Sequence, residues 1–343
     1  MAVKRLAVWA AQPYQGGRLF DPASPLNRDN CLAPFHVLKA RLEKSGWECR
    51  TQDVYKTGKE IPDAVLFSDL PSAPLSSALG NWEGKTRNFL IINECEVIRP
   101  DNWDIRNHEG FEAIFTWSPW LVDGRKYFKL NFSMAFPSSG AASPSERPGF
   151  CAMIAGNKKK THPLELYSER EKTIRWFERE HPGEFDLYGA GWDRKNFGGP
   201  RLVRALNRIG PLTRLLAPRF PSYKGRVDQK LPVLGRYKFA ICYENAREIP
   251  GYITEKIFDC LFAGCVPVYW GAPDITEYVP LECFVDRRAF KSHEELYSFL
   301  KAMPKAELAS RRAAIAAYLS GGKVRPFTAD HFAETIAGRI LNG

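Results

Sequence analysis

The feature that most constrains this chain is an alternation, in which short runs of β-branched and aromatic residues recur between longer stretches with helical spacing. In the first half the runs are Leu6 to Ala10, Ala64 to Phe67, Phe89 to Ile92 and Ala113 to Trp117, with a helical pattern from Leu32 to Lys44 that Gly46 ends. In the second half they are Phe150 to Ala155, Phe185 to Tyr188, Phe239 to Tyr243, Val266 to Trp270 and Phe284 to Asp286. Helical patterns follow at Leu164 to Arg179, Glu255 to Ala263 and His293 to Leu319. Apolar strands separated by helices make a parallel sheet covered on both faces, so the predicted class is α/β. A length of 343 residues suits two such units better than one.

The run PSSGAASPSERPG, Pro137 to Gly149, is rich in Pro, Ser and Gly and has no apolar period, so it reads as a linker. The predicted plan is a first domain over 1–136, a linker over 137–149, a second domain over 150–320 with an insertion at 194–230, and a C-terminal tail over 321–343. Open parallel sheets take ligands outside the carboxyl ends of their strands, which places the chemistry in a cleft between the two units.

Charge is concentrated in one place. The formal net charge is +10, and Arg194 to Lys230 alone carries +9, ten basic residues against Asp228. Within it, Leu202, Leu206, Ile209, Leu212 and Leu216 fall at three- and four-residue spacings with Arg204, Arg208 and Arg214 between them. This is a basic amphipathic helix or helix pair, broken at Gly210 and Pro211. Two readings stay open: the segment 200–220 rests on an anionic membrane surface, or it packs its leucines on the second domain and leaves its arginines in water. Nucleic acid is not predicted as a partner, because leucines rather than aromatics interleave the basic residues and no recognised signature is present.

No run reaches the roughly 18 to 20 apolar residues of a membrane span, and the apolar start is too short for a signal peptide. The eight cysteines contain no CxxC pair and sit mostly in apolar runs, as buried thiols of a reducing compartment do. The expected location is cytoplasmic, on the inner face of the membrane if the basic segment docks there. His36, His162 and His293 lie at no metal-ligand spacing and no Asp-x-Asp pair is present, so no protein-bound metal is predicted.

The most informative stretch is Tyr237 to Pro280, YKFAICYENAREIPGYITEKIFDCLFAGCVPVYWGAPDITEYVP. A strand ends in Tyr243, Glu244 and Asn245, and after a polar loop Thr254 stands where a helix N-cap belongs. Backbone N–H groups at that helix start, reinforced by Lys256, form a site for phosphate oxygens, and Glu255 can accept hydrogen bonds from ribose hydroxyls. From spacing alone, Glu255 and Lys256 are equally a charged first turn of a solvated helix. Lys158, Lys159 and Lys160 follow the strand Phe150 to Ala155 on the same predicted edge, with a phosphate contact and a solvated run both open.

Asn245, the run GYITEK from Gly251 to Lys256, and AGCVPVYWG together resemble the signature of the family 10 glycosyltransferases, the α1,3/α1,4-fucosyltransferases. The likeness extends in order through NECEVIRPDNW (Asn93 to Trp103), FEAIFTW (Phe111 to Trp117), Ala155 to Phe177, FDLYGAGW (Phe185 to Trp192) and ECFVDRRAF (Glu282 to Phe290). It is weaker over the first 80 residues and the tail. The resemblance implies a GT-B architecture of two Rossmann-like domains facing across a cleft, in a bacterial-type enzyme without a membrane anchor. It further implies GDP-fucose as donor substrate, no required cofactor, and inverting transfer of L-fucose to a glycan hydroxyl. The acceptor would be N-acetyllactosamine-like or a lipopolysaccharide glycan, in α1,3 or α1,4 linkage.

By the same resemblance the general base falls in a Glu-x-Pro context that here reads Glu94, Cys95, Glu96. Glu94 takes the family's first position and is the expected base. Glu96, which replaces the proline, is the reserve, and in an extended segment it would point the same way and raise the pKa of Glu94. Lys256 and Arg170 match the cations at the diphosphate, although spacing does not rank Arg170 above Arg175 and Arg179 of the same helical stretch. Asn245 and Tyr252 match donor-orienting positions, and Glu255 the ribose contact. Lys158, Arg204 and Arg208 are further candidate phosphate or membrane contacts. Two alternatives stand beside this reading: the same fold with another nucleotide sugar, and a non-catalytic nucleotide- or carbohydrate-binding relative, which the Glu-Cys-Glu departure keeps open.

Overall fold

A computed structural model describes residues 3–137, 147–197 and 200–342. Eleven strands are present among them: β1 Lys4–Trp9, β2 Trp47–Thr51, β3 Ala64–Ser68, β4 Arg87–Ile92, β5 Ala113–Thr116, β6 Tyr127–Lys129, β7 Gly149–Ile154, β8 Phe185–Tyr188, β9 Tyr237–Tyr243, β10 Val266–Trp270 and β11 Val285–Asp286. The helices are α1 Ala33–Lys44, α2 Gln52–Thr57, α3 Leu75–Leu79, α4 Tyr167–Glu180, α5 Arg201–Ala205, α6 Gly210–Leu215, α7 Lys230–Leu234, α8 Glu255–Phe262, α9 Ile275–Tyr278, α10 His293–Ala302, α11 Lys305–Ser320 and α12 Ala329–Asn342.

The strands form two separate sheets, one in the order β2-β1-β3-β4-β5-β6 and the other β11-β10-β9-β7-β8. Every pairing is parallel. The chain is therefore two parallel-sheet α/β units, as the alternation predicts. In the second sheet the strand order reverses between β7 and β9. The carboxyl ends of those two strands open onto the crevice where this topology binds ligands.

Alternation along the strands divides the first unit's core into two layers. Leu6, Val8, Leu66, Phe89 and Ile91 face one side, and Ala7, Val65, Phe67, Leu90 and Ile92 the other. The first layer is closed by α1 and by α12, whose Phe332, Ala333, Ile336, Ala337 and Ile340 are buried against it. A 3-10 turn over Gly322–Phe327 leads into α12. Of the segment 321–343, expected as a tail, the described residues to 342 thus return to the first unit and complete its core.

Other differences have local causes. The helical pattern from His293 breaks into α10 and α11 at Pro304, which caps the second helix. The expected linker lies mainly over 138–146, outside the described residues. At its described end Arg147 is buried and donates to the carbonyls of Leu234, Tyr237 and Ala263 at 3.4, 3.1 and 2.7 Å. Gly149 already opens β7. Strands β2 and β6, of five and three residues, do not follow from the alternation. Seven of the eight cysteines are buried as free thiols and Cys31 is exposed. Among the described residues no helix is long and apolar enough to cross a membrane.

Candidate active site between the two sheets

Glu94 follows the carboxyl end of β4, and the backbone there is held from several sides. Asp69 accepts from the N–H groups of Asn93 and Glu94 at 2.7 and 3.3 Å and from Asn102 Nδ2 at 2.7 Å. Trp117 Nε1 donates to the Asn93 carbonyl at 2.9 Å, and Trp103 Nε1 to the Glu94 carbonyl at 3.0 Å. Asp69 itself sits at a φ of 61°, in the left-handed region that aspartate tolerates better than most residues. Burial raises the pKa of Glu94, and the Asp69 carboxylate raises it further, against the pull of Lys256, the Tyr252 hydroxyl and Lys158.

The extended segment expected to align Glu94 with Glu96 is instead a turn, in which Ile98 N–H and Arg99 N–H both donate to the Cys95 carbonyl at 2.9 Å. The neighbouring carboxylate that acts on Glu94 is therefore Asp69, which the sequence reading missed, and not Glu96. Glu96 Oε2 is buried without a hydrogen-bond partner among the described residues. Asp69 follows β3, more than twenty positions before Glu94, and no local spacing links the two.

On the other side of the cleft, Thr254 caps α8, its hydroxyl accepting from Lys256 N–H at 3.5 Å and from Lys256 Nζ at 2.9 Å. The cap is itself held by Glu244, a fully buried carboxylate that accepts from Thr254 N–H at 2.8 Å and Thr254 Oγ1 at 2.7 Å. Lys256 Nζ lies 3.3 Å from Glu244 Oε2 and 3.6 Å from Glu255 Oε1. Burial works against the charge on Lys256, but Glu255 and Glu244 outweigh it and hold the ammonium charged well beyond neutral pH. Burial likewise opposes ionisation of Glu255, yet Lys256 and Lys230 bring its carboxyl down to about 2. Glu244 was also missed, although it stands one residue before Asn245 in the motif. The Gly that ends AGCVPVYWG explains itself here: a Cβ at Gly271 would lie 2.5 Å from Glu244 Cγ and 2.5 Å from the Tyr269 hydroxyl.

Arg170, on α4, is buried, and its Nη2 donates to the carbonyls of Tyr243 and Glu244 at 2.6 and 2.7 Å and to Asn245 Oδ1 at 3.2 Å. Spacing left it level with Arg175 and Arg179, but the structure separates the three. Arg175 pairs with Glu178 at 2.8 Å and covers the Phe220 ring at 3.6 Å, and Arg179 pairs with Glu180 on the surface at 2.5 Å. Asn245 Nδ2 in turn donates to the Tyr252 hydroxyl at 3.2 Å, and that hydroxyl donates to Glu94 Oε2 at 3.3 Å. Arg170, Asn245, Tyr252, Glu94, Glu255 and Lys256 thus converge across the boundary between the sheets.

An apolar cluster lies beneath them, formed by Cys95, Val97 and Trp117 from one unit and Ala246, Ile249 and Tyr252 from the other. Gly251 packs closely against this part of the first unit. Its φ is +78°, and a Cβ there would lie 2.5 Å from the Trp117 carbonyl oxygen. Lys129 Nζ donates to that same carbonyl at 2.5 Å and to the Tyr278 hydroxyl at 3.0 Å. A cavity of about 140 Å³ opens on the first unit's side, bordered by Asn93, Trp117, Asn131 and Phe132. Trp120, three residues beyond Trp117 at the same sheet edge, is 81% exposed.

The remaining candidates are peripheral to this group. Lys158 follows β7 and is felt electrostatically at Glu94, whereas Lys159 pairs with Glu171 at 3.5 Å. Arg204 and Arg208 are exposed on the insertion. Among the described residues no group of three or more His, Cys, Asp or Glu side chains is placed to hold a metal ion.

Residues 212–312 match the family model described as glycosyltransferase family 10 (fucosyltransferase), C-terminal part. An α-(1,3)-fucosyltransferase of Helicobacter pylori is 36% identical over 97 residues, which are 28% of this chain and 20% of that protein. An α-(1,4)-fucosyltransferase of Arabidopsis thaliana is 37% identical over 68 residues, 20% of this chain and 17% of that protein. The match therefore spans about a fifth of the length of these curated relatives. Likeness of fold extends over the whole chain. A solved α1,3-fucosyltransferase structure superposes with a TM-score of 0.56 at 14% identity, covering 99% of this chain and 90% of the other. Anabaena HepE in complex with UDP-glucose gives 0.56 at 12% identity, covering 99% of this chain and 100% of the other. The two-sheet architecture is the GT-B fold of these neighbours, and the residues that match the C-terminal model of glycosyltransferase family 10 (fucosyltransferase), 212–312, hold Asn245, Tyr252, Glu255 and Lys256.

Proposed function

We propose that this chain is an inverting fucosyltransferase that moves L-fucose from GDP-fucose to a hydroxyl of a glycan acceptor. The observation that carries the reading is the meeting, across one boundary, of a carboxylate with a raised pKa and a charged lysine at a capped helix N-terminus. The family match supports the donor, as does the fold likeness to an α1,3-fucosyltransferase solved with GDP, at a TM-score of 0.52.

In this reading Glu94 takes the proton of the acceptor hydroxyl as its oxygen attacks the anomeric carbon of β-linked fucose from the face opposite the nucleotide. The bond from that carbon to the diphosphate breaks with its electron pair, leaving α-linked product and GDP. A glutamate with a raised pKa is a stronger base than an ordinary one at the same position. The charge that develops on the departing diphosphate is met by Lys256 and the N–H groups at the start of α8. Arg170 adds positive charge from below and fixes Asn245, while Glu255 takes the ribose hydroxyls. Lys158 lies on the same edge for a further phosphate contact. The exposed indole of Trp120 offers an aromatic face to the acceptor sugar, an N-acetyllactosamine-like or lipopolysaccharide glycan in α1,3 or α1,4 linkage. The domain plan follows, with the acceptor on 1–136 and the donor on 150–320. The location that fits is the cytoplasm.

Calorimetry with GDP, GDP-fucose, GDP-mannose and UDP-sugars tests this, followed by transfer assays on whichever donor binds. GDP and GDP-fucose are expected to bind wild-type protein and not Lys256→Ala, and Trp120→Ala is expected to raise KM for the acceptor alone. Binding of a UDP-sugar only would favour the second reading, another nucleotide sugar in the same fold, which the likeness to HepE with UDP-glucose supports. Donor binding without turnover on any acceptor would favour a non-catalytic relative.

A further inference from the structure

We propose that residues 200–220 form a docking surface for an anionic lipid bilayer. Of the twelve large apolar side chains exposed among the described residues, five lie in this one stretch: Leu202, Val203, Ile209, Leu215 and Leu216. Leu202 and Leu215 are 86% and 82% exposed, close to the values of a residue in solution. The packing of leucines onto the second unit, the other reading open from the sequence, is met only in part, by the half-buried Leu206 and Leu212.

The charges of the segment are as unpartnered as its leucines. Elsewhere in the insertion three of the five basic groups are engaged, Lys230 with Asp259 at 2.6 Å, Lys224 with Asp186 at 3.3 Å and Arg194 with Asp193 at 3.9 Å. Arg201, Arg204, Arg208, Arg214 and Arg219 are exposed and make no ion pair among the described residues. Aliphatic tips beside free guanidinium groups, with no acid interspersed from 200 to 220, complement a bilayer interface. There the leucines enter the acyl boundary and the arginines meet lipid phosphates.

The frame beneath this outer face is secured. Phe220 is buried against Trp192 at 5.0 Å, and Arg175 donates to the Arg219 carbonyl at 2.7 Å. Thr213 is buried and its carbonyl accepts from Lys195 N–H at 2.7 Å. The segment leaves the sheet at the carboxyl end of β8, its edge strand, and comes back beside that strand where Tyr223 bridges Leu187. In a parallel sheet this is the end that also carries Thr254 and Lys256, so a docked protein holds its cleft close to the lipid surface. A glycan acceptor built on a lipid would be presented there.

Flotation of the full chain with vesicles of phosphatidylglycerol and phosphatidylcholine, compared with phosphatidylcholine alone, tests the surface. Binding is expected to the anionic vesicles at low salt and to fall steeply at high salt. Arg204→Gln with Arg208→Gln and Arg214→Gln should lower partitioning about a hundredfold, at about fivefold per charge removed. Leu202→Ser with Leu215→Ser should lower it about tenfold or more, with the thermal midpoint and donor binding unchanged. Absence of binding to anionic vesicles at low salt overturns the proposal, whichever variants fold. Equal binding to neutral vesicles overturns it too, as does self-association without vesicle binding that Leu202→Ser and Leu215→Ser abolish, since a second copy would then be the occupant.

Discussion

The Tyr252 hydroxyl, from the loop before α8, donates to Glu94 Oε2 at 3.3 Å, joining the expected base of one unit to the donor-side motif of the other. Behind it the order runs through Asn245 to the buried Arg170. A residue matched to donor orientation by family resemblance therefore also touches the acceptor-side carboxylate. Tyr252→Phe keeps the ring against Trp117, at 5.0 Å between centroids, and removes only the hydroxyl. Because the hydroxyl lowers the pKa of Glu94, its loss should move the acid limb of the pH–rate profile upward and reduce kcat. The urea midpoint should change little. A pH profile in which the limb stays in place would separate Tyr252 from Glu94.

Asp69 acts on the same carboxylate in the opposite direction. Its charge raises the pKa of Glu94 while its oxygens hold the backbone at 93 and 94. Asp69→Asn removes the charge and retains a carbonyl oxygen for the N–H bonds. The acid limb should therefore shift to lower pH, with the base ionised over a wider range but weaker. Rate measurements from about pH 4 upward, across the ordinary carboxylate range, check the sign.

Lys256 serves both the fold and the site. Removing it leaves the buried Glu244 with only Thr254 as partner, and an uncompensated buried carboxylate costs several kcal/mol. Lys256→Ala should lose donor binding and also about 2 kcal/mol or more of stability. Adding Glu244→Gln should recover much of the stability and none of the binding, read by chemical denaturation alongside calorimetry with GDP.

Gly251 sits against the main chain of the first unit. With φ at +78° and the Trp117 carbonyl 2.5 Å from where a Cβ would be, Gly251→Ala meets both backbone strain and a clash with main chain that does not yield. The left-handed conformation alone costs an L-residue about 1–2 kcal/mol. We expect a larger loss in thermal stability and transfer activity reduced at least tenfold, since the loop carrying Tyr252 must move.

The final helix is testable by core truncation. Ile336 is fully buried between α12 and the first sheet, so Ile336→Ala should cost about 2–5 kcal/mol. The loss should appear in the unit over residues 4–129 although the substitution is near the other end of the chain. Hydrogen exchange, compared between β1 and β9, locates it.

Legibility in the sequence followed the range of the interaction. The capped helix at Thr254 was readable because an N-cap, its carboxylate and its lysine lie within three residues, and their chemistry is local. The apolar strands Phe185–Tyr188 and Val266–Trp270 fell where their runs place them, because a strand buried on both faces needs no partner to announce itself. Helix α12 shows an apolar stripe at Phe332, Ile336 and Ile340, but nothing local says that the stripe belongs to the first unit. The short strand β6 has too few residues to carry a period.

The site divides the same way. Residue types and their order along the chain were enough to mark Glu94, Arg170, Asn245, Tyr252, Glu255 and Lys256 as candidates, since each lies in a motif or on a strand-to-helix edge. Which carboxylate acts on Glu94, which of three arginines is buried, and which acid holds the cap depend on distances in the packed chain, spanning up to 75 positions of sequence. Burial and opposed charge are properties of the packed chain, so only the tertiary structure decides that Asp69 rather than Glu96 faces Glu94, and that Glu244 carries the helix on which the proposed phosphate site is built.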